Sequence, residues 1–289
     1  DFTDVIAGRA TLEQAAVRHP YGCRLYLLTA PVGLHEDIRT SEMKGLLDEV
    51  RSRFDYCLID SGAGLGDAFR LATCAADRAG VQLYVAQVLQ FTREVETLHQ
   101  VMADRRYGKP LDACFERLSA RPGWVQGSWM FQKEKSGLLP FDLHIHDLDM
   151  MVSIFGEPRS MEYTSCGGPE APCREQYRFR YTFAGGITAS AEAAWFNACL
   201  PFTARWRVYF ERGLLVCDGG LTGYGADGDA TVFDVEDPVK VECGANLPPS
   251  GWFLRELSHF VERAKENRPS ERVPREQVLS VLGILEKIV

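Results

Sequence analysis

Near Lys109 the hydrophobic pattern of this 289-residue chain changes its period. Before that point, apolar runs of strand length alternate with helical patterns. "RLYLLTA" (24 to 30) is followed by a helix at about 41 to 52, "FDYCLID" (54 to 60) by a glycine-rich turn and a helix at about 67 to 76, and "VQLYVAQVL" (81 to 89) by a helix at about 93 to 105. Such alternation is the mark of parallel α/β structure. After Lys109, strand-like runs come one after another: 110 to 120, 160 to 166, 177 to 184, 187 to 196, 204 to 211 and 214 to 218. Helices are expected among them only at about 142 to 155, at about 251 to 266 and at the end of the chain. The fold class is therefore α/β and then α+β. A partial parallel Rossmann-like unit precedes a large, mainly antiparallel sheet with helices on one face, and strands 24 to 29, 54 to 60 and 81 to 88 are expected to lie parallel.

Composition narrows the function. Hydrophobic residues make up 46% of the chain, which excludes a disordered or fibrous class. A net charge of -8 offers no long-range attraction to phosphate backbones or anionic lipid, so neither nucleic acid nor membrane is an expected partner. Nine cysteines are scattered without a C-x-x-C pair, as reduced thiols in a cytoplasmic protein would be. The chain begins mid-pattern without Met and reads as a piece of a longer frame.

Two places carry candidate chemistry. Gly62, Gly64 and Gly66 lie between a strand and a helix, where either a phosphate cradle or a plain tight turn is found. Asp67 stands where a dinucleotide fingerprint needs Gly or Ala, and no G-x-x-x-x-G-K-[ST] occurs. The second place is "SGLLPFDLHIHDLDMMVSIFGEP" (136 to 158). Asp142 and His146 are four apart and share one helix face, so the carboxylate can orient the imidazole and raise its basicity for general-base work. The same residues also suit an Asp142 N-cap beside a packed histidine. His144 and Asp149 add polar groups, but the spacing is poor for a metal site.

The run "DFTDVIAGRATLEQAAV" through "RLYLLTAP", "MKGLLDEVRSRFDYCLIDSGAGL" and "FRLATCAADRA" resembles the MinD/ParA group of P-loop ATPases over about residues 1 to 79. That resemblance implies a second nucleotide-sensing switch at Asp60, Ala63 and Gly64, but the phosphate loop and its lysines are absent from this sequence.

Residues from about 80 to 289 resemble the C-terminal part of the Gfo/Idh/MocA oxidoreductases. "GVQLYVAQVLQFTREVETLHQVM", the Asp-x-x-x-His helix, "YRFRYTFAGGITASAEAAW", "VYFERGLLVCDGG" and the closing helical runs carry it. The resemblance implies NAD- or NADP-linked chemistry on a sugar, inositol or related polyol, with His146 as proton acceptor and Asp142 as its orienter and a substrate ligand. The family's catalytic Lys lies in an E-K-P loop, which this sequence lacks, and its Arg-Phe is Gln90-Phe91 here. Lys133 is the nearest alternative cation. Missing both the lysine and a dinucleotide loop, the enzyme is expected to be impaired.

The expected domains are thus 1 to 79, with an extension to about 92, and 80 to 289. Trp129, with Trp124, is a candidate wall of a sugar pocket, core packing being the alternative. Trp195, Phe196, Trp206, Tyr209 and Phe210 are expected to build a sheet face, and the open face of the sheet is a candidate homo-oligomer contact. Residues 223 to 230 read as an exposed hairpin loop, with calcium binding a remote alternative. A non-catalytic sugar-binding or assembly module and a partitioning-ATPase relic are the competing functions.

Overall fold

The computed structural model describes all residues except 21–23, 30–37, 60–72, 75, 79, 124–128, 229 and 243–248. It comprises two compact units, Asp1–Leu83 and Tyr84–Val289.

In the first unit, α1 (Phe2–Ile6) starts on Asp1, whose carboxylate accepts from the Thr3 and Asp4 N–H groups. Thr11 caps α2 (Leu12–Ala15), its hydroxyl accepting from Gln14 N–H. A two-residue β1 (Val17–Arg18) pairs with β2 (Tyr26–Leu27), and α3 (Thr40–Arg53) follows. The β1/β2 pairing is antiparallel, and residues 56–59 and 81–87 belong to no ladder. The expected parallel pairing of 24–29, 54–60 and 81–88 is therefore not formed among the described residues. An interior parallel strand needs hydrogen-bonded neighbours and cover on both faces. Here Leu27 and Leu58 remain 63% and 78% exposed.

The second unit opens with a 3-10 turn, Val88–Phe91, and α4 (Arg93–Ala103), which Thr92 caps. β3 (Pro110–Ala120) comes next, then a turn at Trp129–Phe131, a short α5 (Lys133–Ser136), a π-helical turn at Pro140–His144 and α6 (Ile145–Phe155). Six strands follow in a row, interrupted by one 3-10 turn: β4 (Ser160–Cys166), β5 (Gln176–Thr182), β6 (Thr188–Phe196), β7 (Thr203–Phe210), β8 (Gly213–Cys217) and β9 (Leu221–Gly225). β10 (Ala230–Phe233), α7 (Trp252–Lys265) and α8 (Arg275–Leu285) complete it.

The strands form one eight-stranded sheet in the order β10-β9-β8-β7-β3-β6-β5-β4, antiparallel except for the central β3/β6 pair. The expected large, mainly antiparallel sheet is present. Alternation decides its faces: Tyr177, Phe179 and Tyr181 of β5 are buried while Arg178 and Arg180 are exposed. The same alternation corrects the aromatic face expected from sequence. Trp195, Trp206 and Phe210 turn inward, whereas Phe196 and Tyr209 are exposed. Residues 223–225 also differ from expectation, because they pair with β8 as part of β9. Its glycines concealed the strand, yet Gly223 is needed there: a Cβ would strike the Tyr107 side chain.

Candidate functional site

The Asp-x-x-x-His segment is set by a backbone reversal. α5 ends at Gly137 (φ 69°), and Leu138 follows at φ 63°. Glycine is required at 137, since a Cβ would lie 2.5 Å from the Phe141 ring. Ser136 stitches the reversal together. Its hydroxyl donates to Met130 O at 2.7 Å and accepts from Leu138 N–H at 2.9 Å. The chain then enters the π-turn at Pro140, where a missing N–H costs nothing. A π-turn is wider than an α-turn and often sits where a side chain must be re-aimed. Asp142 lies inside this turn, so it does not cap the helix.

Asp142 is half-buried, and its carboxylate accepts from the Trp195 indole. Burial lifts the carboxyl to about 6, opposed by that hydrogen bond and by the positive charge of Arg117. His146, one turn further on, is also half-buried overall, but its Nδ1 is enclosed and has no protein partner. Enclosure and then the Arg117 charge push this imidazole down to about 3, so it is neutral at neutral pH.

The other polar residues of the segment have structural partners. His144 is fully buried, stacked on Phe179 at 3.8 Å and hydrogen-bonded to the Tyr181 hydroxyl at 2.7 Å. Asp147 is ion-paired with Arg117 of β3 at 2.7 Å. Asp149 accepts from Gln90 at 2.6 Å and from Gln277 of α8 at 2.7 Å, and its carboxyl is also lifted, by burial, to about 6. Gln90 is thereby committed to the protein interior.

Trp129 is 39% exposed, two residues before Phe131, whose ring meets Trp195 edge-on at 6.1 Å. Phe131, Trp195 and Asp142 thus connect the Trp129 turn to the helix. Trp124, Asp60, Ala63 and Gly64 lie outside the described residues. Among the described residues no three His, Cys, Asp or Glu side chains are grouped to hold a metal ion. Sequence reasoning missed Trp195 as a partner of Asp142 and missed Arg117 altogether. The available signal was a charged residue at an inward position of β3, between buried Phe115 and the end of the strand.

Residues 95–216, within the second unit, match the model of the GFO/IDH/MocA C-terminal domain. An oxidoreductase from Agrobacterium radiobacter, solved with NAD+, L-tartaric acid and magnesium, superposes with a TM-score of 0.64 at 14% identity, covering 86% of this chain and 74% of that one. The aldose-aldose oxidoreductase from Caulobacter crescentus, solved with glycerol, gives 0.62 at 17% identity, covering 76% of this chain and 64% of that one. At these identities the likeness shows the fold. The septum site-determining protein MinD of Thermotoga maritima is 38% identical over 76 residues, which are 26% of this chain and 28% of MinD. That agrees with a MinD/ParA-type stretch in the chain.

Proposed function

We propose that the Asp142/His146 face is the proton-handling half of an NAD- or NADP-linked oxidation or reduction of a sugar, inositol or related polyol. One observation carries this reading: a carboxyl and a neutral imidazole stand a helical turn apart, both reachable from solvent, while their polar neighbours are locked into the core. Oxidation of a secondary alcohol releases a hydride and a proton. His146 takes the proton from the reacting hydroxyl, and Asp142, ionised above about 6, accepts from a neighbouring hydroxyl of the polyol and so orients it. Trp129 offers an exposed aromatic face for the apolar side of a sugar ring. The similar folds solved with NAD+ and with glycerol support the choice of chemistry.

A nicotinamide, when bound, supplies the hydride acceptor. The described residues do not form a dinucleotide cradle: 81–87 are unpaired, and no E-K-P lysine exists in these 289 residues. By itself the chain is therefore impaired in hydride transfer. The unpaired 81–87 segment favours, as a second reading, a non-catalytic sugar-binding module.

NADH and NADPH titrations followed by nicotinamide fluorescence, with single-turnover oxidation of inositol or glucose, separate these readings. Saturable binding, with turnover that falls about 10²- to 10⁴-fold in His146→Ala, supports the enzyme. Polyol binding without nicotinamide binding supports the module. Turnover that survives His146→Ala removes this histidine from the mechanism.

The same proposal assigns the open sheet face, with its Arg205–Glu116 and Arg178–Glu192 pairs around a cavity of about 430 Å³, to a second copy of the chain. Sedimentation that shows only monomer defeats it. A cytoplasmic location is supported by the described cysteines, all free thiols. No described helix is long and apolar enough to cross a membrane.

A further inference from the structure

We propose that the Arg117–Asp147 ion pair is a positioning element for the Asp142/His146 face, holding the first turn of α6 on the centre of the sheet and fixing where the His146 imidazole lies. The inference rests on the proposed proton-handling role of that face.

The pair is a two-point contact. Arg117 Nη2 reaches Asp147 Oδ1 at 2.7 Å, and Nε reaches both carboxylate oxygens at 3.2 Å. Both side chains are almost wholly enclosed, at 6% and 1% exposure for the residues. An enclosed guanidinium on a strand is costly unless both its charge and its donors are met. A planar fork on a carboxylate fixes rotation as well as distance. Asp147 is the residue next to His146, so this fixes the phase of the turn that presents the imidazole.

A second anchor acts from the neighbouring strand. β3 and β6 run parallel, with Arg117 opposite Ala193 and Ser119 opposite Trp195. Trp195 holds Asp142 and Arg117 holds Asp147, so two adjacent strands grip the segment on either side of His144.

The pair also sets the electrostatics. Arg117 from β3 is the charge that acts on His146, whose own segment carries Asp142, His144, Asp147 and Asp149, with Asp147 paired to Arg117 and His144 bonded to Tyr181 of β5. The Arg117 charge acts on Asp142, His144 and His146 alike, disfavouring an imidazolium and favouring a carboxylate. An ordinary salt bridge elsewhere in the core would stabilise the fold without touching the titration of His146.

The test is ¹⁵N-histidine NMR of the full chain between about pH 7 and pH 2, a window that spans the parent midpoint near 3, with the His146 signal assigned by its absence in His146→Gln. Arg117→Lys keeps the charge, and its His146 ring titrates as in the parent. Arg117→Met combined with Asp147→Leu removes both charges without orphaning either, and the His146 midpoint rises by about one unit, a tenfold gain in proton affinity. Arg117→Gln with Asp147→Asn keeps a hydrogen-bonded pair without charge and gives the same rise should the apolar pair prevent folding. A folded double variant whose His146 titrates as in the parent overturns the proposal. Failure of inositol or glucose, with NAD, to perturb the His146 resonance overturns the functional reading instead, while the shift in the double variant stands.

Discussion

His144 and Tyr181 share a 2.7 Å hydrogen bond between the π-turn and β5, and neither residue has any surface exposed to solvent. Only two positions later, His146 is half-buried. The segment therefore uses one histidine to fasten itself to the sheet and leaves the other available.

Removing the Tyr181 hydroxyl leaves the His144 Nε2 without its partner in a site closed to water. Tyr181→Phe is expected to lose about 1–3 kcal/mol of stability, the cost of an unsatisfied buried polar group. Urea unfolding measures this. A variant indistinguishable from the parent would show that the bond contributes nothing.

The contribution of His144 to stability should fall as the solution is acidified. Burial and the Arg117 charge hold folded His144 at about 3, against 6.5 for an ordinary imidazole. The unfolded chain therefore binds the extra proton first. The stability due to the neutral ring is whole above about 6.5 and drains away as pH falls toward 3. His144→Phe carries a steady cost from the unpaired Tyr181 hydroxyl, but its unfolding free energy should depend less steeply on pH across that window. An unchanged slope would count against the assignment.

Asp149 gives the opposite sign. Its folded carboxyl is lifted by burial to about 6 from 3.8, so the stability due to its neutral form is present below 3.8 and lost as pH rises through about 6. Asp149→Asn resembles the protonated acid at every pH, with one glutamine amide turning to offer its oxygen. Relative to the parent, its stability should grow between about pH 5 and pH 7 in urea titrations. A relative stability that declines over that range contradicts the lifted value.

Asp142 and His146 were legible because a spacing of four places two side chains on one helix face whatever follows. β3 was legible to the residue, since its inward positions Ala113 and Phe115 alternate with half-buried neighbours. The π-turn was not, because the same spacing fits i→i+4 and i→i+5 hydrogen bonding equally well. Trp195 lies 53 positions from Asp142, and no local pattern reveals a partner brought in by sheet order. In the first unit, apolar runs such as "FDYCLID" read as strands, but pairing depends on neighbours that hydrophobic period alone does not supply.

Trp195 donates to Asp142 and thereby favours the ionised form, against the larger effect of burial. Trp195→Phe keeps an aromatic ring but removes the donor, so the Asp142 carboxyl should rise above about 6. Carboxyl-carbon NMR across the pH range reads the shift directly. A fall, or no change, would exclude the indole as its partner.

Gly137→Ala forces a side chain into a left-handed position and against the Phe141 ring. It is expected to cost more than about 1 kcal/mol. Thermal melting checks it, and a melting temperature equal to the parent's would mean that the reversal can relax.

The parallel junction of β3 and β6 at the centre of an otherwise antiparallel sheet orders events during synthesis. β3 is complete at Ala120, but both strands that flank it, starting at Thr188 and Thr203, are made much later. β4, β5 and β6 can zip together as they emerge, while β3 must wait and close two long loops at once. Arg117 is carried on that waiting strand, so the ion pair with Asp147 is completed only when the middle of the sheet closes. The Asp142/His146 face is then finished late, by a strand that was the first of its sheet to be made.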